Sequence, residues 1–179
     1  MNLPNLNVFI QDGRWGLTTS LQKYDLVCVD AYRPPYIPPH LTTQEFFQVV
    51  ADHLNPDGVV VINVGRSPGD RRLIDGLATT IGTIFPSIYV MDIPDSFNSM
   101  IYATVQPTTV EDLHLNLSAL AALPDTNSLL IESLQLTVAN LQPAPLHTVV
   151  FTDDRSPIEW ITNSMILNFI LQGEIGTMQ

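Results

Sequence analysis

The segment spanning residues 24–35 constrains the fold of this chain more than any other. Its first half is apolar between Asp25 and Asp30, which predicts a buried strand ending on the carboxylate of Asp30. Prolines at positions 34, 35, 38 and 39 donate no backbone hydrogen bonds, so residues 33–40 must form a loop. Ligands of an open α/β sheet collect at the carboxyl ends of its strands. We therefore expect the chemistry of this chain to lie near Asp30.

The order of the predicted elements indicates an α/β fold. A capping box, Thr42-x-x-Glu45, starts a helix that ends in a turn at 55–58, and the apolar run 59–64 predicts a strand covered on both faces. Strands 87–93 and 98–105 are joined by a link short enough to make them an antiparallel pair. We expect a partial doubly wound, mainly parallel sheet with this pair at its edge, followed by C-terminal helices. The other predicted strands are 7–12 and 25–30, and the other helices are 14–22 (a short helix or turn), 70–85, 109–123, 125–141 and 157–172.

A change in composition at Pro107 divides the chain into two predicted domains. Residues 1–106 form the partial α/β domain, and residues 107–179 form a helical extension that packs on it. In this extension, Ser156 is a candidate N-cap and Glu159 closes a second capping box, with proline at the first helical position between them.

The composition excludes several classes of protein. The net charge is −11, and six of the seven basic residues lie in the first 72 positions beside seven acids, so no basic face is available for nucleic acid. The acidic C-terminal part suits either solubility or the steering of a cationic substrate. The four histidines and Cys28 have no metal-ligand spacing, and we expect no metal.

The sequence also predicts a location. Cys28 lies inside an apolar strand, so we expect it in the core, and a single cysteine indicates a reducing cytosol. No apolar run approaches the roughly 20 residues of a membrane span, and the first residues lack the features of a signal peptide. We expect a cytoplasmic protein that does not enter a membrane.

Five motifs in order give the chain a resemblance to a known family. They are Asp12-Gly13-Arg14, the strand 24–30, Leu41-x-Thr-x-Glu-Phe-Phe47, Leu54-x-Pro-x-Gly-Val59, and Thr152-Asp-Asp-x-x-Pro-x-Glu159. In these residues the chain resembles the spermidine synthase family of polyamine aminopropyltransferases, which have a methyltransferase-type Rossmann-like fold. The resemblance implies transfer of an aminopropyl or methyl group from an adenosyl donor, S-adenosylmethionine or its decarboxylated form.

The resemblance also implies roles for individual residues. Asp30 resembles the catalytic aspartate, a general base that deprotonates an attacking amine; a loop or capping hydrogen bond is the alternative for it. Asp12 resembles the residue that contacts the adenine amino group, and its alternative is a turn-forming aspartate. Gly13 and Arg14 complete the expected cofactor-binding motif. The residues expected to line the substrate pocket are Tyr32, Arg33 and Tyr36.

Two departures from the family pattern bear on activity. The strands that would carry a Gly-x-Gly turn and a ribose-binding acid are missing, so we expect this polypeptide alone to bind an adenosyl donor poorly. Arg33 stands where the family has a second acid that helps bind the polyamine, and a guanidinium repels an ammonium group. This substitution favours a neutral or anionic acceptor, or none.

Three interpretations stay open. The chain is the C-terminal portion of an aminopropyltransferase-like enzyme, a non-catalytic relative that acts as an interaction or structural module, or a short enzyme that binds a different small molecule near Asp30. Missing strands would leave a sheet edge exposed, and exposed edges invite association. We therefore expect a homodimer, a rearranged sheet or a partner chain that supplies the missing strands.

Overall fold

A computed structural model describes residues 5–32 and 36–171, which form a four-stranded sheet flanked by six α-helices. A short 3-10 helix, Pro39–Leu41, precedes α2. The strands are β1 (Tyr24–Val29), β2 (Leu54–Gly65), β3 (Ser87–Asp92) and β4 (Asn98–Thr104), and the helices are α1 (Gly13–Thr18), α2 (Gln44–Asp52), α3 (Arg72–Ile81), α4 (Val110–Ala121), α5 (Ser128–Ala139) and α6 (Ile158–Leu171).

The sheet is mixed, with strand order β1-β2-β4-β3. Only β1 and β2 run parallel, while β4 pairs antiparallel with both β2 and β3. The predicted α/β fold and its antiparallel pair are confirmed. The register aligns Val29 with Ile62 and Ile62 with Ile101, which brings the carboxyl ends of β1 and β2 together.

The core lies on one face of the sheet. Val60, Ile62 and Val64 of β2 are buried there, as is Phe151, whose ring packs against Gly76 of α3. The intervening residues of β2 are only partly buried, so the second face of this strand is covered less completely than the first. Its second face meets the α4–α5 hairpin, and neither helix of that hairpin has a buried residue. By contrast, α6 contributes five buried residues.

The predicted strand at 7–12 is wrong. Residues 7–10 have no assigned secondary structure and pair with no described strand, and Phe9 is 76% exposed. The prediction that Cys28 lies in the core is also wrong, because the face of β1 that carries Cys28 and Leu26 is uncovered by the described residues, and Leu26 is 57% exposed. Both errors have the same cause. An apolar strand pattern shows that a segment can join a sheet and be covered, but it does not show that a neighbouring strand or a covering helix is present.

The start of α2 differs from the predicted capping box. Thr43 is the N-cap, and its Oγ1 accepts a hydrogen bond from the Phe46 amide at 3.3 Å. Thr42 Oγ1 donates to Pro39 O at 2.7 Å and lies 3.1 Å from Ser156 Oγ. The predicted turn at 55–58 lies within β2, because the chain leaves α2 at His53 and enters the sheet directly.

Candidate functional site

Asp30 follows the last residue of β1 and its side chain is held by β2. Asn63 Nδ2 donates a hydrogen bond to Asp30 Oδ1 at 3.0 Å. The pairing of Val29 with Ile62 explains this contact, because the next residue of each parallel strand lies at the same edge of the sheet. The carboxylate is exposed and therefore accessible to a ligand.

Asn63 is a candidate site residue that the sequence analysis missed. Its Nδ2 serves Asp30, and its Oδ1 is buried without a hydrogen-bond partner among the described residues. The backbone oxygen of Asn63 accepts a hydrogen bond from the Tyr32 hydroxyl at 3.1 Å. The signal was present in the sequence, since Asn63 is the one polar residue in the apolar run 59–64.

Tyr32 lies near Asp30 in sequence and lines a cavity described below. Burial is the main cause that raises the pKa of its hydroxyl, and the nearby carboxylate of Asp30 adds to the effect. The phenol therefore remains protonated at neutral pH and acts as a donor to Asn63 O.

One cavity, of about 780 Å³, extends along β1 and is named here the β1 cavity. The carboxylate-bearing end of β1 and the start of α1 both contribute to its wall. Two of the predicted site residues, Asp30 and Gly13, lie in this wall. Other lining residues are Phe9, Leu17, Cys28 and Phe46.

Asp12 is the N-cap of α1. Its Oδ1 accepts a hydrogen bond from the Trp15 amide at 2.9 Å, and its Oδ2 lies 2.8 Å from His40 Nε2. The amide hydrogen bond is the largest cause of a lowered pKa for this carboxyl, and His40 adds to it. The turn-forming role that was the alternative for Asp12 is thus present, while the carboxylate is still 49% exposed.

Arg14 is directed away from the β1 cavity. Its guanidinium forms two hydrogen bonds to Asp153, at 2.7 and 2.8 Å, and one to His40 O at 3.2 Å. Asp153 Oδ1 also accepts from Thr43 Oγ1 at 2.7 Å. Three of the motifs quoted for the family, 12–14, 41–47 and 152–159, therefore meet in one polar network at the start of α2.

The remaining predicted residues flank the proline-rich loop. Tyr36 donates a hydrogen bond to Asn163 Oδ1 at 2.7 Å and so ties the loop to α6. Arg33 lies outside the described residues. Of the two predicted substrate-binding residues that the structure describes, Tyr32 lines a cavity, which is described below.

A second cavity, of about 240 Å³, is lined in part by Tyr32 and is named here the Phe97 cavity. The end of β2, the start of α3, the β3–β4 link and α6 enclose it. The wall is mostly apolar: Ile37, Leu73, Phe97, Met165, Ile166 and Phe169. Two hydrogen bonds connect the wall of this cavity to the wall of the β1 cavity. They run from Tyr32 to Asn63 and from Asn63 to Asp30.

The described residues contain neither a metal-binding group nor a membrane-spanning helix. Within residues 5–32 and 36–171, no three His, Cys, Asp or Glu side chains are grouped so that they could hold a metal ion. No helix in the described part of the chain has the length and apolarity to cross a bilayer.

Comparison with known proteins decides the family. The family model for the spermine/spermidine synthase domain matches residues 1–114, more than half of the chain. The chain belongs to the spermine/spermidine synthase family. A probable polyamine aminopropyl transferase of Bifidobacterium longum is 36% identical over 102 residues, which are 55% of this chain and 23% of that protein. The chain thus spans about a quarter of the length of this curated relative.

Solved structures show the same fold. A spermidine synthase in complex with the transition-state analogue AdoDATO superposes with a TM-score of 0.52 at 18% identity, covering 96% of this chain and 51% of that one. Human methyltransferase-like protein 13 in complex with SAH gives a TM-score of 0.52 at 23% identity, covering 83% and 65%. The methyltransferase-like fold expected from the motifs is confirmed.

Proposed function

We propose that this protein provides the amine-activating part of an aminopropyltransferase. The observation that carries the proposal is the pair formed by Asp30, which directly follows β1, and Asn63, which lies near the carboxyl end of the parallel strand β2. The carboxylate accepts protons, and the unpartnered Asn63 Oδ1 accepts a hydrogen bond from an amine N–H. Together they form a site for a primary amine beside a cavity that holds a second reactant.

The chemistry follows from the position of Asp30. A bound decarboxylated S-adenosylmethionine supplies a carbon made electrophilic by its sulfonium. When the amine lone pair forms the new C–N bond, the C–S bond breaks, its electron pair stays on sulfur, and the proton of the amine passes to Asp30. Asn63 holds the carboxylate and the amine in line, which is a positioning role.

The β1 cavity supports the assignment of a donor site. Its volume of about 780 Å³ suits a nucleoside-sized ligand, and Asp30 and Gly13 are in its wall. Asp12 and Arg14 are not in that wall, so we propose that only the carboxylate of Asp12, which is still half-exposed, reaches the adenosyl group. The described residues supply one wall of this site.

We further propose that another strand completes the site by pairing with the outer edge of β1. That edge has no partner among the described residues, and Leu26 of β1 and Phe9, which lines the same cavity as β1, are exposed. Unpaired edges of this kind bind another strand. A second copy of this chain is one source of such a strand, and light scattering at several concentrations tests it. A monomer whose β1 amides resist hydrogen exchange would contradict this part of the proposal.

A non-catalytic interaction module is the second candidate. It is favoured by the fact that Asp12 and Arg14 both have scaffold partners, in Trp15, His40 and Asp153. A relative that no longer bound a donor would retain these contacts for stability alone. The exposed thiol of Cys28 supports a reducing, cytoplasmic location under either candidate.

Calorimetry tests the proposed function. Methylthioadenosine, S-adenosylmethionine and its decarboxylated form are titrated separately into the protein, and release of methylthioadenosine is then followed with an amine present. Asp30→Asn is expected to leave donor binding within about twofold and to reduce transfer by roughly 10²- to 10⁴-fold. Asp25→Asn, at the opposite end of β1, is the matched control and keeps full activity. Because the site is proposed to need another strand, the titrations are repeated at concentrations where the protein self-associates and with any partner chain present. Absence of heat with all three ligands under every one of these conditions overturns the proposal in favour of the non-catalytic module.

A further inference from the structure

The Phe97 cavity has the wrong chemistry for the far end of a diamine. Among its described lining residues there is no Asp or Glu, and Arg66 is the charged side chain. The Arg66 guanidinium is bonded to the backbone oxygens of Ser96 at 2.8 Å and of Ile93 and Asn98 at 3.4 Å, and its Nε lies 3.8 Å from Oδ1 of Asp92, which does not line the cavity. A second ammonium group placed here would be desolvated beside a cation, which is strongly unfavourable.

The wall is suited to an apolar ring or chain. Leu73, Met165 and Phe169 are each at most 5% exposed, and Phe97 meets Phe169 edge to face with ring centroids 5.7 Å apart. A cavity of about 150 Å³ lined by apolar side chains accommodates benzene. The 240 Å³ of the Phe97 cavity therefore suits a ring together with a short chain.

One polar atom inside this wall has no partner. Thr162 of α6 is 9% exposed, and its Oγ1 makes no hydrogen bond to any described residue. A buried hydroxyl without a partner is destabilising, and such groups in native structures are commonly satisfied by a ligand or a water. Thr162 thus marks the place where a polar group on an otherwise apolar ligand would bind.

We propose that the Phe97 cavity binds the tail of a monoamine acceptor: an amine whose apolar, ring-sized tail carries one uncharged hydrogen-bonding group facing Thr162. The amine nitrogen lies at Asp30 and Asn63, which adjoin the cavity through Tyr32. The placement of the amine rests on the proposed function. The preference of the cavity for an apolar tail follows from its lining residues and does not depend on the proposed function.

Tyramine, phenethylamine and putrescine are the probes for this specificity. Tyramine has the amine, the ring and one hydroxyl; phenethylamine lacks the hydroxyl; putrescine replaces the tail with a second ammonium. Calorimetry or saturation-transfer NMR is expected to show tyramine bound most tightly and putrescine at least ten times more weakly. Equal or tighter binding of putrescine overturns the proposal.

Substitutions on α6 locate the bound tail. Thr162→Val keeps the shape and removes the hydroxyl, so it is expected to weaken tyramine roughly five- to tenfold and leave phenethylamine unchanged. Because it also removes an unpartnered buried hydroxyl, it is expected to raise Tm, which shows that any loss of tyramine is not a loss of fold. Met165→Trp fills the cavity and abolishes binding of both arylalkylamines. Leu167→Trp, on the exposed side of the same helix, is the matched control.

The outcomes separate this inference from the proposed function. If tyramine binds through Thr162 and Met165 while no adenosyl compound binds, the cavity specificity stands and the aminopropyltransferase proposal fails. If donors bind but tyramine affinity is unaffected by both Thr162→Val and Met165→Trp, the inference fails alone. If Asp30→Asn leaves tyramine binding unchanged, the placement of the amine is wrong.

Discussion

Arg14 and Asp153 form a two-pronged ion pair across 139 positions of sequence, with Nη1–Oδ1 and Nη2–Oδ2 distances of 2.7 and 2.8 Å. The pair fastens α1 to the segment that leads into α6. Since Thr43 also donates to Asp153, the start of α2 joins the same network. Three segments that are distant in sequence are thereby held at one side of the candidate site.

The strength of this ion pair can be measured with a double-mutant cycle. Arg14→Met, Asp153→Asn and the double variant are expected to give a coupling free energy of about 0.5–1 kcal/mol, because the side chains are 23% and 43% exposed and solvent screens them. Chemical denaturation provides the measurement. Asp154→Asn, at the exposed neighbouring position, is the control and is expected to cost less than about 0.5 kcal/mol. A coupling near zero would show that the contact only orients the segments.

Acid is expected to destabilise the fold through Asp153 and Asp70. Hydrogen bonds from Arg14 and Arg72, respectively, are the largest causes that lower the pKa of these carboxyls below the ordinary value of 3.8. A depressed folded-state pKa contributes stability that is present above about pH 4 and is lost as pH falls through the folded-state value. Urea unfolding between pH 2.5 and 7 checks this, and Asp153→Asn should flatten the acid limb of the profile. An unchanged limb in that variant would assign the acid sensitivity elsewhere.

Asn63 is expected to matter for binding more than for stability. Asn63→Leu removes a buried oxygen that has no partner, so the free energy of unfolding should change by less than about 1 kcal/mol, while the affinity for an amine probe falls roughly tenfold. Calorimetry with tyramine and a thermal melt measure the two effects. The matched control is Asn55→Leu, which removes an equivalent amide at the other end of β1, where Asn55 donates to Asp25 at 2.7 Å. Equal losses in both variants would argue against a role for Asn63.

The contact between Gly76 and Phe151 is expected to be intolerant of one methyl group. A Cβ at position 76 would lie 2.4 Å from Phe151 Cζ, and Phe151 is fully buried, so Gly76→Ala should destabilise the fold by about 1–3 kcal/mol. Gly13→Ala is the control, because no atom lies within 4 Å of its added Cβ. Combining Gly76→Ala with Phe151→Leu should recover part of the loss, and strict additivity in denaturation would contradict the packing explanation.

Cys28 is expected to react in the folded protein. Its thiol is exposed on a face of β1 that the described residues leave uncovered. Ellman's reagent should modify it without denaturant, at a rate within about tenfold of a free thiol. Reaction only after addition of urea would show that another segment or a second copy covers this face.

Local sequence patterns determined most of the secondary structure. The strands β1, β3 and β4 and the helices from α2 onward were predicted with small errors at their ends, because apolar periodicity, prolines and capping residues act within a few positions. The strand β2 was predicted to start at residue 59 but starts at Leu54, so the predicted turn at 55–58 was wrong. The family was also accessible from sequence, since each motif is short. The predicted N-cap of α2 was Thr42, but the N-cap is the neighbouring Thr43. The Thr42 hydroxyl instead lies within hydrogen-bond distance of Ser156, which is distant in sequence.

The hydrogen-bond partners of residues that are distant in sequence were determined only by the tertiary structure. The position of Asp30 at a strand end could be read from the chain, but its partner Asn63 depends on the register between β1 and β2. The ion pair between Arg14 and Asp153 likewise depends on which segments pack against each other. The exposure of Cys28 depends on which face of β1 stays uncovered. The physical reason is that propensity is set by the nearest residues, whereas hydrogen-bond partners and burial are set by packing of segments that share no local sequence.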